Sequence, residues 1–311
     1  MKPLRESIEE YITMRRGLGF KLRGDATALA DFAAFMEQQG TDRITTRLAL
    51  AWARAPQTVK PEVWAARLRF VRGFARHHIA VDPRTEIPPA NLLPHRPKRA
   101  RPYLYSEEEI QRLLECALNL APRTGLRPWT YHCLVGLLAV AGLRLGEVLR
   151  LRTDDVDLNE GVLTVRGTKF GKSRLVPLDP STCEVLARYR RRRNCFLRGR
   201  RSDFFLISQR GNHLDMGEVH RTFYVLSRQI GLRGPSASHG PRLHDFRHRF
   251  AVETLLRWYR NGEDIERRML VLSTYLGHVH IDDTYWYLSA HPELMGAAVA
   301  RLEQRWKECE S

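Results

Sequence analysis

At 311 residues and 43% hydrophobic content the chain can bury substantial cores, and at roughly 100 to 200 residues per domain it is expected to form two. Lys and Arg number 51 against 35 Asp and Glu, a formal charge of +16, which points to a polyanionic partner, nucleic acid before an acidic membrane surface. No run approaches the ~20 apolar residues of a membrane span, and Met1–Glu6 lacks a signal core. The five cysteines (Cys116, Cys133, Cys183, Cys195 and Cys309) form no Cys-x-x-Cys pair, as expected of reduced thiols in a cytoplasmic chain.

In chain order, the first ninety or so residues read as about four short helices, with Leu29, Phe32, Ala33 and Met36 on one stripe and Trp64, Leu68, Val71 and Ala75 on another. From Pro83 to Pro102 prolines and basic residues predict an extended linker, since proline lacks a backbone donor and biases its predecessor to extended angles. Ser106-Glu107-Glu108-Glu109 has the form of a capping box and predicts a helix start. Tyr131–Ala141 is apolar enough for a buried helix, with Gly142 as its stop and Arg144 just beyond it. Val162–Val165 and Arg174–Leu178 read as strands joined by the glycine-bounded loop 167–172, and the remainder reads mainly as helices.

Chemistry is suggested by Gly142-Leu143-Arg144, a lysine on the hairpin loop, His244-Asp245-Phe246-Arg247, Leu276-Gly277-His278 and Tyr287. His244 and Arg247 are three apart and share a helix face, so both can touch one phosphate. Alone, a His-x-x-Arg in a basic helical protein is more often a solvated face; the accompanying residues carry the signal. A tyrosine hydroxyl, with its pKa of ~10, is a poor nucleophile near neutrality unless positive charge surrounds its target.

In this combination and order the motifs resemble those of tyrosine recombinases of the phage integrase and Xer type, over nearly the whole chain and most securely from Ser106 to Tyr287. The resemblance implies a mainly α fold with a small antiparallel β-sheet. It further implies an N-terminal helical DNA-clamping (SAM-like core-binding) domain over residues 1–95, a basic proline-rich linker over 96–102, and an α+β catalytic domain over 103–311. Residue by residue it implies that Arg144 and Arg247 grip the scissile phosphate, that Lys169 is the hairpin lysine, that His244 and His278 complete the phosphate site, and that Tyr287 is the nucleophile. Glu147 matches the acidic position after the first arginine.

These roles are physically coherent. Guanidinium forks meet the non-bridging oxygens as negative charge develops on them, and a lysine crowded by cations has a lowered pKa and can protonate the departing 5′ oxygen. His244 would assist proton transfer at the tyrosine or the phosphate. The product would be a 3′-phosphotyrosine link that conserves bond energy for rejoining without a nucleotide cofactor.

Alternatives stand beside these assignments. Tyr285, two residues before Tyr287, points elsewhere on a helix, and Tyr275 lies upstream. Lys172 could replace Lys169. The stretch between Arg247 and His278, with Arg257–Asp264, looks longer than in compact family members, as an enlarged loop or a longer helix. Arg188–Arg193, with only Tyr189 interrupting its arginines, favours phosphate contact over a solvated face, and Lys98, Arg99 and Arg101 pose the same choice. His278, His280, Asp282 and Asp283, or Asp154, Asp155 and Asp157, could be drawn as metal sites. Neither group has a matched partner elsewhere, so they read as turn and helix-capping chemistry and no cofactor or metal is expected.

After Pro292, Met295, Ala298, Val299, Leu302 and Trp306 form a stripe that could pack on its own domain. Alternatively, by resemblance, it could dock on a neighbour in a homo-tetramer holding two DNA duplexes. The expected partner is double-stranded recombination-site DNA, with related recombinases as further candidates. The sequence reads as a site-specific DNA recombinase, for transposition or integration of a mobile element first and dimer resolution of the Xer type second. Rival readings are a catalytically silent DNA-binding accessory protein and a metal-dependent nuclease.

Overall fold

The computed structural model describes residues 3–93, 101–166, 173–290 and 292–310. The chain divides into two compact units, residues 1–100 and 101–311.

Four helices make the first unit: α1 (Leu4–Gly17), α2 (Arg23–Gln38), α3 (Thr46–Arg54) and α4 (Pro61–His78). Their apolar stripes meet in one core of Ile8 and Ile12 from α1, Phe32 and Met36 from α2, Trp52 from α3, and Val71 and Phe74 from α4. Trp52 sets its ring edge-on to Phe32 at 5.1 Å and donates its indole N–H to Asp31 at 3.0 Å, so a large buried aromatic is also satisfied as a polar group. The proline-rich stretch expected to be extended linker is, as far as Leu93, part of this unit. Arg72 donates to the carbonyls of Pro88 and Pro89, each at 2.7 Å, and the Glu86 amide donates to Ile44 O at 2.9 Å. Prolines lose a donor but keep their carbonyl, and a nearby arginine uses it. The expected linker 96–102 falls on residues outside the described set, except Arg101 and Pro102.

The second unit opens with α5 (Glu107–Leu118), α6 (Arg127–Ala141) and α7 (Leu145–Arg150). The capping box forms: the Glu109 amide donates to Ser106 Oγ at 3.2 Å and the Ser106 amide donates to Glu109 Oε2 at 2.8 Å. Helix α6 is apolar around most of its circumference and is accordingly the central helix of the unit, with Tyr131, Leu134, Leu137 and Leu138 all within the core. A 3₁₀ turn at Thr153–Asp155 leads into a three-stranded antiparallel sheet of β1 (Val156–Asp157), β2 (Val162–Val165) and β3 (Arg174–Pro177), in the order β1-β2-β3. The turn chemistry expected at Asp154–Asp157 is joined by a short strand: Asp157 pairs with Val162 while its carboxylate accepts from the amides of Asn159 and Glu160. In β2–β3, Leu163 faces Val176 and Val165 faces Arg174.

Helices α8 (Pro180–Leu197), α9 (Met216–Gln229), α10 (Asp245–Arg260), α11 (Ile265–Leu276), α12 (Asp282–Ala290) and α13 (Pro292–Glu310) complete the unit. The long stretch between Arg247 and His278 is neither a large loop nor one long helix. It is the end of α10, the tight turn 261–264, and α11, whose start is capped by Asp264 accepting from the Arg267 amide. Asp282 and Asp283 lie inside the first turn of α12, where negative charge suits the helix dipole.

The arginine run on α8 sorts into two kinds of residue. Arg193 is buried and donates to the carbonyls of Ser202 and Phe204, and Tyr189 is buried with it, whereas Arg188, Arg191 and Arg192 are exposed. Arg192 lies over the Trp129 ring at 3.8 Å. On α13, Leu294 is fully buried in the cluster formed with α10, α11 and α12, whereas Met295 and Val299 of the expected stripe are each 49% exposed. The side chains of Leu302 and Trp306 lie outside the described set.

Candidate active site

Two helix ends create the site. Helix α6 stops at Gly142, whose φ of 55° places it in the left-handed region, and α11 stops at Gly277 with a φ of 65°. Each stop leaves terminal carbonyls without amide partners and carries the negative end of a helix dipole. Two arginines answer them. Arg247, on α10, donates from Nη1 to Gly142 O at 2.8 Å and from Nη2 to Leu276 O at 2.5 Å, and is 2% exposed. Arg144, immediately before α7, donates from Nη2 to Gly277 O at 2.9 Å and keeps a side chain 36% exposed. The guanidinium of Arg247 is therefore locked by backbone and that of Arg144 still meets solvent.

Burial, and then Arg144 beside it, lowers the pKa of Arg247 to about 10, so it stays charged at neutral pH. Glu147, buried in the first turn of α7, ties Arg144 to the sheet through Arg174. Its carboxylate accepts from Arg144 Nη1 at 2.9 Å, from the Arg144 amide at 3.0 Å, and from Arg174 Nη1 and Nη2 at 3.1 and 2.8 Å. Burial alone would raise this carboxyl; the hydrogen bonds from Arg174 and the Arg144 amide outweigh it and hold the pKa at about 2. Arg174 also donates from Nε to Tyr275 O at 2.6 Å, so the first residue of β3 is fastened to α11. Lys169, the expected hairpin lysine, and its alternative Lys172 lie outside the described residues.

His244 precedes α10 at the protein surface. The protein around it, followed by Arg247, lowers its pKa. His278 follows Gly277, and its Nδ1 is 2.7 Å from Thr284 Oγ1, which orients the ring. Tyr287 is buried, with its ring stacked 6.3 Å from that of His278 and within electrostatic reach of Arg247. Tyr285 instead is 42% exposed, as the helical spacing of the two requires. Tyr275 packs flat on Phe250 at 5.3 Å and donates its hydroxyl to Ala141 O at 3.3 Å. Of the expected site residues, Arg144, His244, Arg247, His278 and Tyr287 thus lie around the two helix ends. Among the described residues no three His, Cys, Asp or Glu side chains gather as a metal site.

Two neighbours escaped the sequence reading. His248 Nδ1 is 3.2 Å from the Tyr287 hydroxyl, and its place one turn after His244 was the available signal. Arg174 shares the inward face of β3 with Val176, and a charged residue on the apolar side of an alternating strand could have marked it.

Comparison with known proteins agrees over the same segment. A model described as the phage integrase family matches residues 104–293. The chain is 60% identical to the Sinorhizobium fredii protein y4rB, whose name gives it an inferred role as an integrase/recombinase, covering 99% of both chains. It is 31% identical to the tyrosine recombinase XerD of Pseudomonas putida, over 89% of this chain and 84% of that one. Among solved structures, the Tn1549 transposon integrase in complex with transposon right end DNA superposes with a TM-score of 0.68 at 16% identity, covering 97% and 99% of the two chains. The XerH recombinase bound to its difH substrate does so at 0.63 and 16% identity, covering 89% and 78%. At such identities the likeness is one of fold.

Proposed function

The chain belongs to the phage integrase family of tyrosine recombinases, enzymes that cut and rejoin DNA strands, and on that premise we propose that it acts through a covalent 3′-phosphotyrosine link formed by Tyr287. The observation that carries the reading is the convergence of Arg144, His244, Arg247, His278 and Tyr287 around two helix C-termini, with both arginines held by backbone carbonyls.

In this reading Arg144 and Arg247 hold the non-bridging oxygens of the scissile phosphate, with His244 and His278 contributing further donors. The Tyr287 oxygen attacks phosphorus, the bond to the 5′ oxygen breaks, and Lys169 protonates the departing oxygen. Reversal by a second strand's 5′ hydroxyl completes exchange. Carbonyl anchors fix the guanidiniums before substrate arrives, so little reorganisation is needed as charge develops. Because Tyr287 is buried, DNA must open its surroundings before attack.

The partner is double-stranded DNA, bound by a core-binding domain (residues 1–95) and by a catalytic domain (103–311), with the basic segment 96–102 as linker. The assembly is a homo-tetramer on two duplexes; α13 packs at home through Leu294 and offers the exposed Met295 and Val299 to a neighbouring protomer. Movement of a mobile element is the biological role, supported by the integrase/recombinase relative at 60% identity and the transposon integrase fold.

A duplex nicked near the cleavage site traps the covalent intermediate because the cut fragment diffuses away. Trapping is expected to vanish in Tyr287→Phe, to persist in Tyr285→Phe, and to proceed undiminished in a chelator. Trapping that survives Tyr287→Phe would overturn the assignment. DNA binding with no trapping by the unaltered protein would favour the silent accessory reading, and loss in chelator would favour a metal-dependent nuclease.

A further inference from the structure

His248 follows Arg247 on α10, so its side chain is rotated about 100° around the helix from the arginine. It meets α12 instead of the carbonyls that hold Arg247. Nδ1 lies 3.2 Å from the Tyr287 hydroxyl, and the two rings are 5.5 Å apart at 61°. Trp286 closes one side at 5.4 Å, and the His244 ring stands edge-on at 4.6 Å. Packed against α12 and its own helix, the imidazole has the Tyr287 hydroxyl within reach of Nδ1.

We propose that His248 accepts the proton of Tyr287 as the tyrosine oxygen attacks the DNA phosphorus, and returns it when the strand is rejoined. The proposal rests on the reading of Tyr287 as nucleophile and names the base for it. In the step, an electron pair of the tyrosine oxygen forms the new bond to phosphorus, and the pair of the O–H bond stays on that oxygen as the proton passes to Nδ1. The phosphorus bond to the 5′ oxygen breaks with its electrons on that oxygen, which takes a proton from the acid on the leaving side. His248 ends as imidazolium. On rejoining, it protonates the tyrosine oxygen as that oxygen leaves.

The surroundings keep the ring in the state the step needs. Burial, then His244, lower its pKa to about 4, with Arg242 and Arg247 acting in the same direction and Asp245 opposing them. Asp245 is committed to Arg242 at 2.8 Å. The imidazole is therefore neutral near pH 7, and with its proton on Nε2 it leaves Nδ1 free to accept from the phenol. An entering phosphate anion beside Arg247 and His244 offsets the cationic part of that depression, so basicity rises when substrate binds. His244, at the surface, is left to the phosphate.

The test is single-turnover cleavage by the full chain on a nicked duplex carrying sulfur in place of the 5′ bridging oxygen. Sulfur leaves without a proton, so the acid step drops out and the base step is read alone. His248→Phe keeps a ring in the slot but accepts nothing; His248→Asn can accept the hydrogen bond but cannot carry the proton. Unaltered protein should cleave at a rate independent of pH between 6 and 9, while both variants fall on the order of 10²-fold at pH 7 and recover tenfold per pH unit. Gel-shift affinity for the duplex should match the unaltered protein, and the near-isosteric asparagine guards against loss of the fold. A wild-type rate in His248→Asn, or a slowed variant that keeps the flat profile, would show that His248 only positions the tyrosine and would overturn the proposal. Trapping independent of Tyr287 would overturn the nucleophile assignment as well, and Tyr287→Phe run in parallel tells the two failures apart.

Discussion

Glu147→Gln removes one negative charge from beneath two arginines, and the structure sets the size of the effect. The carboxyl is 4% exposed, and its pKa lies at about 2 against an ordinary 4.5. A depression of about 2.5 units corresponds to about 3 kcal/mol of folding stability at pH 7. Breaking a buried ion pair from one side typically costs about 3 to 5 kcal/mol, in agreement, because Arg174 with a side chain only 10% exposed is left charged and unpaired. The sign follows from the direction of the shift. A folded-state pKa below the unfolded one gives stability that is complete above the unfolded value and is lost as pH falls through the folded one. The gap between the unaltered protein and Glu147→Gln should therefore be about 3 kcal/mol at pH 7 and shrink to about 2 kcal/mol at pH 3.5. Urea unfolding followed by circular dichroism at the two pH values measures it, with the transition of the second unit fitted separately. A gap under about 1 kcal/mol at pH 7, or one that does not narrow on acidification, would refute the claim that the buried carboxylate bears the arginine pair.

Gly142→Ala should lower melting temperature and strand cleavage together, costing about 1 to 3 kcal/mol by differential scanning calorimetry. The residue has a φ of 55°, a new Cβ would stand 2.5 Å from Phe250 Cδ1, and its carbonyl is an anchor of Arg247. The α8 arginines should respond differently from one another. Arg193→Met leaves the carbonyls of Ser202 and Phe204 without their donor and should destabilise by about 1 to 3 kcal/mol per orphaned group in urea titrations. Arg191→Ala, at an exposed position, should leave stability unchanged and reduce the slope of log affinity for DNA against log salt by about one if it contacts a phosphate.

The features legible in sequence are those whose cause lies within a few residues. A serine three residues before a glutamate makes the box at the start of α5, because the groups that satisfy each other are one helical turn apart. The stop at Gly142 and the antiparallel pairing of β2 with β3 are likewise local, since a left-handed residue ends its own helix and the two strands are near neighbours in sequence. What sequence could not decide is where the chain meets itself. Arg193 sits in a run whose charge pattern suggests phosphate contact, yet carbonyls nine and eleven residues on bury it. The prolines after Pro83 look like linker until Arg72, sixteen residues before Pro88, takes their carbonyls.

The site divides along the same line. His244-x-x-Arg247, Gly-His278 and Tyr287 were readable as a set because their types and order resemble a known family, but no spacing along one strand or helix says what a guanidinium will hold. Arg247 is bound by carbonyls 105 and 29 residues away. Glu147 is fastened by Arg174, 27 residues on. His248 faces Tyr287 across 39 residues. Sequence by itself determined the residue types, the helix ends and the small sheet, because propensity, capping and alternation act over a turn or a strand. Tertiary structure alone decided which arginine is locked and which imidazole reaches the hydroxyl, because packing brings distant helix ends together and sequence distance carries no record of it.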